Sequence, residues 1–139
     1  MSWVEEYLQE DVGDGDITTL ALIGSEIGTA RVRANEGGVV AGLEQATEIF
    51  RHLGLKVVPL AQDGEVVSAD TNILSVEGAL RSILTGERLA LNFLMQMSGI
   101  ATATREVVED CRGRNPKIRV AATRKTTPGF RRFEKMAVV

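Results

Sequence analysis

The spacing of apolar residues changes near residue 80, and this change limits the folds that the chain can adopt. Before it, apolar residues alternate with polar ones in short runs such as Gly28–Asn35, the pattern of half-buried strands. From Leu80 they recur every three or four positions, which predicts a helical segment over 80–110. The pair Ser98-Gly99 is expected to break this segment, with Ser98 as the cap of a second helix. Strands followed by helices are typical of an α+β fold.

Two further helices and four further strands are predicted within the first 80 residues. Ser2 and Glu5 have the spacing of a capping box, which favours a helix over Ser2–Leu8. Leu43–Leu53 carries its apolar residues on one face, as an amphipathic helix does. The strands are expected at Val39–Ala41, Leu55–Leu60, Glu65–Val67 and Asn72–Val76. Together these elements predict a small sandwich of sheet and helix.

The last part of the chain places cations where a strand is expected to end. The apolar run Ile118–Ala122 is bounded by charge and predicts a buried parallel strand. It is followed directly by Thr123, Arg124 and Lys125. Two fixed cations at a strand end, before the positive N-terminus of a helix, favour a bound anion such as a carboxylate or phosphate. The alternative is a capped turn whose basic residues are merely solvated.

A helix is predicted after these cations. Thr127 can act as its N-cap, and Pro128 suits its first turn, where a missing N–H costs nothing. Four apolar residues then fall on one helical face: Phe130, Phe133, Met136 and Ala137.

The net charge of −3 hides an uneven distribution. Residues 1–79 contain 14 acidic and four basic residues, whereas residues 112–139 contain nine basic residues and one acidic residue. Anion binding is therefore expected at the C-terminal end. Nucleic acid is not expected as a partner, because the basic end has no aromatic residue outside its apolar helix face. The acidic, polar start and the lack of a long apolar run predict no signal peptide, no membrane span and a cytoplasmic location.

Other candidate chemistries have weaker support. Asp14 and Asp16 lie in a glycine-containing loop, but no further ligands follow at the spacing of a calcium loop, so turn and capping roles are favoured. His52 has no Cys or Asp at ligand spacing and is expected on the surface near the end of its helix. Cys111 is the only cysteine, which excludes an intrachain disulfide.

A non-catalytic carrier module is the alternative from another functional class. The stretch Asp63–Gly78 is similar to the hairpins of lipoyl and biotinyl carrier domains. Such a domain presents a modifiable lysine at a hairpin tip. The only lysine before position 117 is Lys56, which lies inside a predicted strand. The similarity therefore concerns local fold.

Three stretches resemble the quinolinate phosphoribosyltransferases, also called nicotinate-nucleotide pyrophosphorylases. TRKTTPGFRRFEKMAV, which starts at Thr123, is similar to the TRKT-PG signature of that family. EDVGDGDITT (Glu10–Thr19) and LTGERLALNFLMQMSGIATAT (Leu84–Thr104) agree with the family in order and spacing. The resemblance implies a hammerhead-like N-terminal α+β domain over residues 1–111. The first strand and helix of an open α/β barrel would follow over 112–139.

The resemblance also implies a reaction and a set of substrate-binding residues. The family joins quinolinate to phosphoribosyl pyrophosphate with Mg²⁺, giving nicotinate mononucleotide, pyrophosphate and carbon dioxide. The ring nitrogen is the nucleophile, so no catalytic side chain is assigned. Thr123, Arg124 and Lys125 would bind the substrate carboxylates, since two carboxylates require fixed cationic donors. Arg88 would reach the active site of a partner subunit in a homodimer or higher oligomer, with a surface salt bridge as the alternative.

The resemblance covers only part of the family's pattern. In the family, later barrel strands carry a His-Arg pair, a lysine and the acidic residues that meet the sugar and the metal. The chain is therefore expected to be a fragment, with the Mg²⁺ ligands and the phosphoribosyl contacts outside it. A related nicotinate phosphoribosyltransferase, or a paralogue associated with molybdate transport, stays open as an alternative acceptor specificity.

Overall fold

A three-stranded antiparallel sheet and one long helix form the framework of the protein. The computed structural model describes residues 1–13 and 23–138. The interpretation of Asp14 and Asp16 as turn residues falls in the range 14–22 and lies outside the described residues. The helices are α1 (Trp3–Val12), α2 (Leu43–His52), α3 (Leu80–Arg114) and α4 (Arg131–Ala137), and the strands are β1 (Ile27–Arg33), β2 (Gly38–Val39), β3 (Lys56–Pro59), β4 (Val66–Val67) and β5 (Asn72–Ala79).

The strands form two sheets. In the larger sheet β5 is central, with β1 and β3 antiparallel on either side. β2 and β4 pair separately as a short antiparallel ladder. Exposed and half-buried residues alternate along β1, as its sequence pattern predicts. All five predicted strands before residue 80 are confirmed, with ends that differ by a few residues, and the mixed helix-and-sheet fold is confirmed with them.

The core lies between the larger sheet, α2 and α3. Its fully buried side chains include Ile49 of α2, Leu74 and Val76 of β5, and Phe93 of α3. Gly42 is the N-cap of α2, and its positive φ of 90° brings its backbone against α3. A Cβ atom there would lie 3.1 Å from the carbonyl oxygen of Phe93, so only glycine fits without displacement.

The helix α3 runs without interruption through Ser98 and Gly99, so the predicted break is wrong. The Ser98 hydroxyl is occupied elsewhere: it accepts a hydrogen bond from the backbone N–H of Ala41 at 3.0 Å and donates to the Ala41 carbonyl at 3.1 Å. Thr102, one turn later, accepts from the N–H of Val39 at 2.9 Å. Both side chains satisfy backbone groups at and just after β2 instead of ending a helix.

The helix α1 is held by its own cap and by aromatic packing. The predicted capping box is confirmed: Ser2 accepts from the N–H of Glu5, and the Glu5 carboxylate accepts from the N–H of Ser2. Aromatic rings then join α1 to α3 and to the region around α4. The ring centroids of these residues lie 4.7–6.5 Å from their neighbours: Trp3, Tyr7, Phe93, Phe130 and Phe133.

Two predictions about the C-terminal part are wrong. Ile118–Ala122 forms no strand and is exposed, because no strand of the described chain lies beside it to pair with it. Thr127 does not cap α4, which starts at Arg131 after a turn over 128–130. The N–H of Thr127 instead donates to the Glu134 carboxylate at 3.2 Å. Of the predicted apolar face, Phe133 and Ala137 are buried, whereas Met136 is exposed.

Candidate functional site

The predicted anion-binding residues lie on the segment that connects α3 to α4. Thr123, Arg124 and Lys125 are all exposed there. The Thr123 hydroxyl accepts from the backbone N–H of Lys125 at 3.2 Å and so shapes a local turn. Within residues 1–13 and 23–138, the guanidinium of Arg124 and the ammonium of Lys125 make no hydrogen bond or ion pair. Both cations are therefore available to an anion from solution.

Polar residues of α4 hold this segment from the other side. The Arg131 guanidinium donates to the Thr126 hydroxyl at 3.0 Å, and the Lys135 ammonium donates to the Ala122 carbonyl at 3.2 Å. The sequence does not distinguish these basic residues from Arg124 and Lys125. The structure does, because it uses Arg131 to hold the Thr126 hydroxyl and Lys135 to hold the Ala122 carbonyl, on either side of the two exposed cations.

The helix α1 contacts the same region through Tyr7. The Tyr7 hydroxyl donates to the Gly129 carbonyl at 3.1 Å, two residues before α4 begins. Burial raises the pKa of Tyr7 above its ordinary value, and the nearby Glu10 and Glu6 carboxylates raise this pKa further. The phenol therefore keeps the proton that it donates to Gly129 well into the alkaline range.

Arg88 lies on α3 and is paired with Asp11, near the C-terminal end of α1. Its Nε lies 2.7 Å from Asp11 Oδ1, and its Nη2 donates to the Asp11 carbonyl at 2.9 Å. The Arg88 side chain is 68% exposed. The contact is the surface salt bridge of the alternative interpretation. The substrate role of Arg88 stays a prediction.

The predicted site residues are held by different parts of the molecule. Arg88 is attached to the end of α1, whereas the segment of Thr123, Arg124 and Lys125 is bracketed by bonds to α4. α1 contacts both regions, through Asp11 to α3 and through Tyr7 to the turn before α4. The sequence pattern did not identify Asp11 and Tyr7 as the residues that make these two contacts. The one available signal was that Tyr7 and Asp11 are four residues apart, which places them on one face of a helix.

A large concave surface lies on another side of α3. It is a groove of about 930 Å³ between the face of β1 and the exposed side of α3. Its lining is mainly apolar and includes Ala30, Val32, Leu84, Leu91 and Met95, of which Met95 is 64% exposed. A smaller cleft of about 320 Å³ lies between α1 and α3, beside Asp11.

The remaining candidate residues show no cluster that suggests a metal or carrier site. Among residues 1–13 and 23–138, no three His, Cys, Asp or Glu side chains are placed to hold a metal ion together. His52 is exposed at the end of α2, as expected. Lys56 lies on β3, 3.5 Å from the Glu77 carboxylate, and not at a hairpin tip. No helix in the described ranges is both long and apolar enough to cross a membrane.

Comparison with protein families gives two adjoining matches. The family model described as "Quinolinate phosphoribosyl transferase, N-terminal domain" matches residues 16–98, and the model of the C-terminal domain of the same family matches residues 100–139. The domain boundary expected between residues 111 and 112 stays a prediction.

Relatives named as nicotinate-nucleotide pyrophosphorylases are similar over nearly the whole chain. A probable nicotinate-nucleotide pyrophosphorylase [carboxylating] of Methanothermobacter thermautotrophicus is 44% identical over 140 residues, which are 99% of this chain and 50% of the relative. The structure of nicotinate-nucleotide pyrophosphorylase from Ehrlichia chaffeensis matches with a TM-score of 0.92 at 32% identity, over 99% of this chain and 52% of that one. For NadC from Streptococcus pyogenes the TM-score is 0.89 at 36% identity, over 97% and 49% of the two chains. The chain spans about half the length of the curated relatives that it matches.

Proposed function

The chain belongs to the quinolinate phosphoribosyltransferase family, and on that premise we propose that it forms part of an enzyme that converts quinolinate to nicotinate mononucleotide for NAD biosynthesis. In this reaction the pyridine nitrogen forms a bond to the anomeric carbon of phosphoribosyl pyrophosphate, and pyrophosphate leaves. The carboxylate beside the ring nitrogen leaves as carbon dioxide, and a proton replaces it. The observation that carries the proposal is the pair of exposed cations, Arg124 and Lys125, without partners in the described chain.

The proposed role of this pair is to bind the carboxylates of quinolinate. Arg124 offers a planar fork of donors that matches a carboxylate in two-point contact, and Lys125 adds a point charge beside it. Thr123 lies next to them, and its hydroxyl keeps a donor after accepting from Lys125. Arg131 holds the Thr126 hydroxyl and Lys135 holds the Ala122 carbonyl, so the segment that carries the pair needs little rearrangement on binding. The reaction would then depend on positioning and on electrostatic stabilisation.

We further propose that the enzyme acts as a homodimer or higher oligomer in which Arg88 serves the partner's site. The support is the apolar groove along α3, in which Met95 is exposed and Leu84 and Leu91 are half-buried. A second copy of the chain would remove this apolar surface from water. Wild-type protein should therefore sediment as a dimer, and Met95→Glu should shift it toward monomer, because a carboxylate would be buried at the contact.

The matched control for this experiment is Val107→Glu. Val107 is also exposed on α3 but does not line the groove. The dimer should persist in this variant. A wild-type protein that sediments as a clean monomer at high concentration would contradict the proposal.

The proposed reaction uses Mg²⁺, but the described residues do not fit a site for it. No cluster of three carboxylate, imidazole or thiolate side chains exists in the described ranges. We propose that Mg²⁺ enters bound to phosphoribosyl pyrophosphate, as part of the substrate. A cytoplasmic location is proposed as well, because a pyrophosphate ester does not cross membranes unaided.

The proposed role of Arg124 can be tested by titration with quinolinate in the complete gene product that contains this chain. Arg124→Lys keeps the charge but removes the two-point geometry, so affinity should fall at least about thirtyfold, or about 2 kcal/mol. Arg119→Lys is the matched control, because Arg119 is an exposed arginine of the same connecting segment. Nicotinate, which has one carboxylate fewer, should bind the wild type more weakly. Equal quinolinate affinities of wild type and Arg124→Lys would place the carboxylate site elsewhere.

A further inference from the structure

We propose that Asp11 is a positioning residue, which fixes the guanidinium of Arg88 for the carboxylate that Arg88 binds. This inference rests on the proposed function, because that proposal gives Arg88 its substrate. Nothing in the sequence pattern pairs the two residues, which are 77 positions apart. The structure brings them together at the point where the end of α1 meets α3.

The contact fixes the orientation of Arg88 as well as its position. Nε donates to the Asp11 carboxylate at 2.7 Å, and Nη2 donates to the Asp11 carbonyl at 2.9 Å. Two donors on one edge of a rigid plane, bound to two acceptors of a single residue, leave the guanidinium little freedom to rotate. The Asp11 side chain is only 15% exposed, whereas that of Arg88 is 68% exposed. The Asp11 carboxylate is therefore mostly buried, whereas the Arg88 guanidinium is open to solvent.

Asp11 is itself attached to a fixed element. α1 carries a complete capping box at its start, and Trp3 and Tyr7 pack against Phe93 of α3 with ring centroids 5.3 Å apart in each case. Tyr7 lies one turn before Asp11 and is tied to Gly129. The end of α1 thus has contacts on two sides that hold Asp11 against α3.

Asp11 is an unfavourable residue for α1 considered alone. A carboxylate near the C-terminal end of a helix is repelled by the helix dipole, and the last turn of α1 contains no basic residue. The second carboxylate oxygen, Oδ2, is buried and has no hydrogen-bond partner among the described residues. Arg88 compensates for this charge and also satisfies a carbonyl at the helix end. The Asp11 charge at the end of α1 therefore needs Arg88 as its partner, just as Arg88 needs Asp11 to fix its orientation.

A positioned arginine binds an anion more tightly than a mobile one, because less side-chain freedom is lost on binding. We therefore expect Asp11→Ala to weaken quinolinate binding by about three- to tenfold. Asp11→Asn keeps an acceptor oxygen for Nε and should give a smaller loss. If Asp11 acts only through Arg88, Asp11→Ala should cause no further loss in an Arg88→Ala background.

The experiment measures quinolinate affinity in the complete gene product for wild type, both Asp11 variants, Arg88→Ala and the double variant. Glu109→Ala is the matched control: Glu109 pairs with Arg105 on the same helix at the same distance of 2.7 Å, and its removal should leave affinity unchanged. In parallel, hydrogen exchange at Arg88 Nε is followed by NMR with ¹⁵N-arginine. This exchange should be slow in the wild type and in Glu109→Ala, and faster in Asp11→Ala. The NMR readout also shows whether each variant is folded.

The outcomes separate the inference from the proposed function. If Arg88→Ala weakens binding and Asp11→Ala does not, the positioning role of Asp11 is overturned and the function of Arg88 stands. An Asp11→Ala loss of equal size in both backgrounds also overturns it, because Asp11 would then act through the fold. If Arg88→Ala leaves affinity unchanged, the proposed substrate role of Arg88 fails, and the inference fails with it even where NMR shows the pair intact.

Discussion

The strand β5 and the segment Ile118–Ala122 are both apolar runs, and the structure treats them in opposite ways. β5 lies between β1 and β3, pairs on both edges and contributes Leu74 to the core. Ile118–Ala122 has no neighbouring strand in the described chain and leaves Val120 41% exposed. The difference shows that an apolar run becomes a strand only where another strand supplies partners for its N–H and C=O groups.

The basic residues of the C-terminal part show the same contrast at the level of side chains. Arg131 and Lys135 are used to hold backbone and hydroxyl groups in place, whereas Arg124 and Lys125 have no partner in the described ranges. Identical residue types therefore divide into structural and available cations according to what lies within reach. A site that binds an anion requires cations that are not already bonded to other groups of the protein.

The largest effect that would test this comparison is on stability. Leu74→Ala empties a fully buried position of β5 and should lower the free energy of unfolding by about 2–5 kcal/mol. Val120→Ala should change it by less than about 0.5 kcal/mol, because the side chain is already partly in water. Urea denaturation measures both values. A cost for Val120→Ala close to that of Leu74→Ala would show that Ile118–Ala122 is buried in solution.

A smaller effect is expected from alanine substitutions at two glycines whose similar backbone conformations would strain any other residue. Gly42 and Gly129 have φ values of 90° and 82°, and both conformations disfavour a side chain. A Cβ atom at Gly42 would meet Met97 and the carbonyl of Phe93, whereas one at Gly129 would meet nothing within 4 Å. Gly42→Ala should therefore cost about 2–3 kcal/mol and Gly129→Ala about 1 kcal/mol.

Urea denaturation of both glycine variants gives the two costs. The shift in the unfolding midpoint measures the loss of stability, provided that the dependence of the unfolding free energy on urea concentration stays the same. Equal costs at the two positions would mean that backbone strain alone decides the loss. The contrast between the packed region around α3 and the open turn before α4 would then not hold for these glycines.

The smallest effect concerns the bond between α1 and the turn before α4. Tyr7→Phe removes the hydrogen bond to Gly129 and should cost about 0.5–1.5 kcal/mol near neutral pH. Because the folded state raises the pKa of Tyr7, this contribution is complete below the ordinary pKa of tyrosine and is lost as the pH rises through the raised value. Wild type should therefore lose stability in strong alkali faster than Tyr7→Phe. Parallel pH profiles of the two proteins would contradict this account.

Local sequence signals predicted the elements that depend on neighbours in the chain. The capping box of Ser2 and Glu5 and the amphipathic pattern of α2 both use residues within one or two turns of each other. These signals were sufficient for the α+β fold and for the approximate position of each strand before residue 80.

Sequence patterns failed to predict the structure where a residue far away in the chain supplied the contact. Ser98 was expected to end a helix, but the backbone of Ala41, 57 positions away, occupies its hydroxyl. The pairing of Arg88 with Asp11 and the aromatic cluster around Phe93 depend on contacts of the same kind. Both interpretations of Arg124 and Lys125, an anion site or a solvated turn, left these cations exposed. The hydrogen bonds of Arg131 to Thr126 and of Lys135 to Ala122 were not predicted, because they depend on how α4 lies against the segment before it.

The uninterrupted helix α3 has a mechanical consequence. At about 1.5 Å per residue, its 35 residues form a rod roughly 50 Å long. The two family matches meet at residues 98 and 100, inside this rod and not at a loop. The junction lies in continuous helix, so the residues on its two sides share one helix axis. An insertion of one residue near Gly99 would rotate everything after it by about 100° about the helix axis.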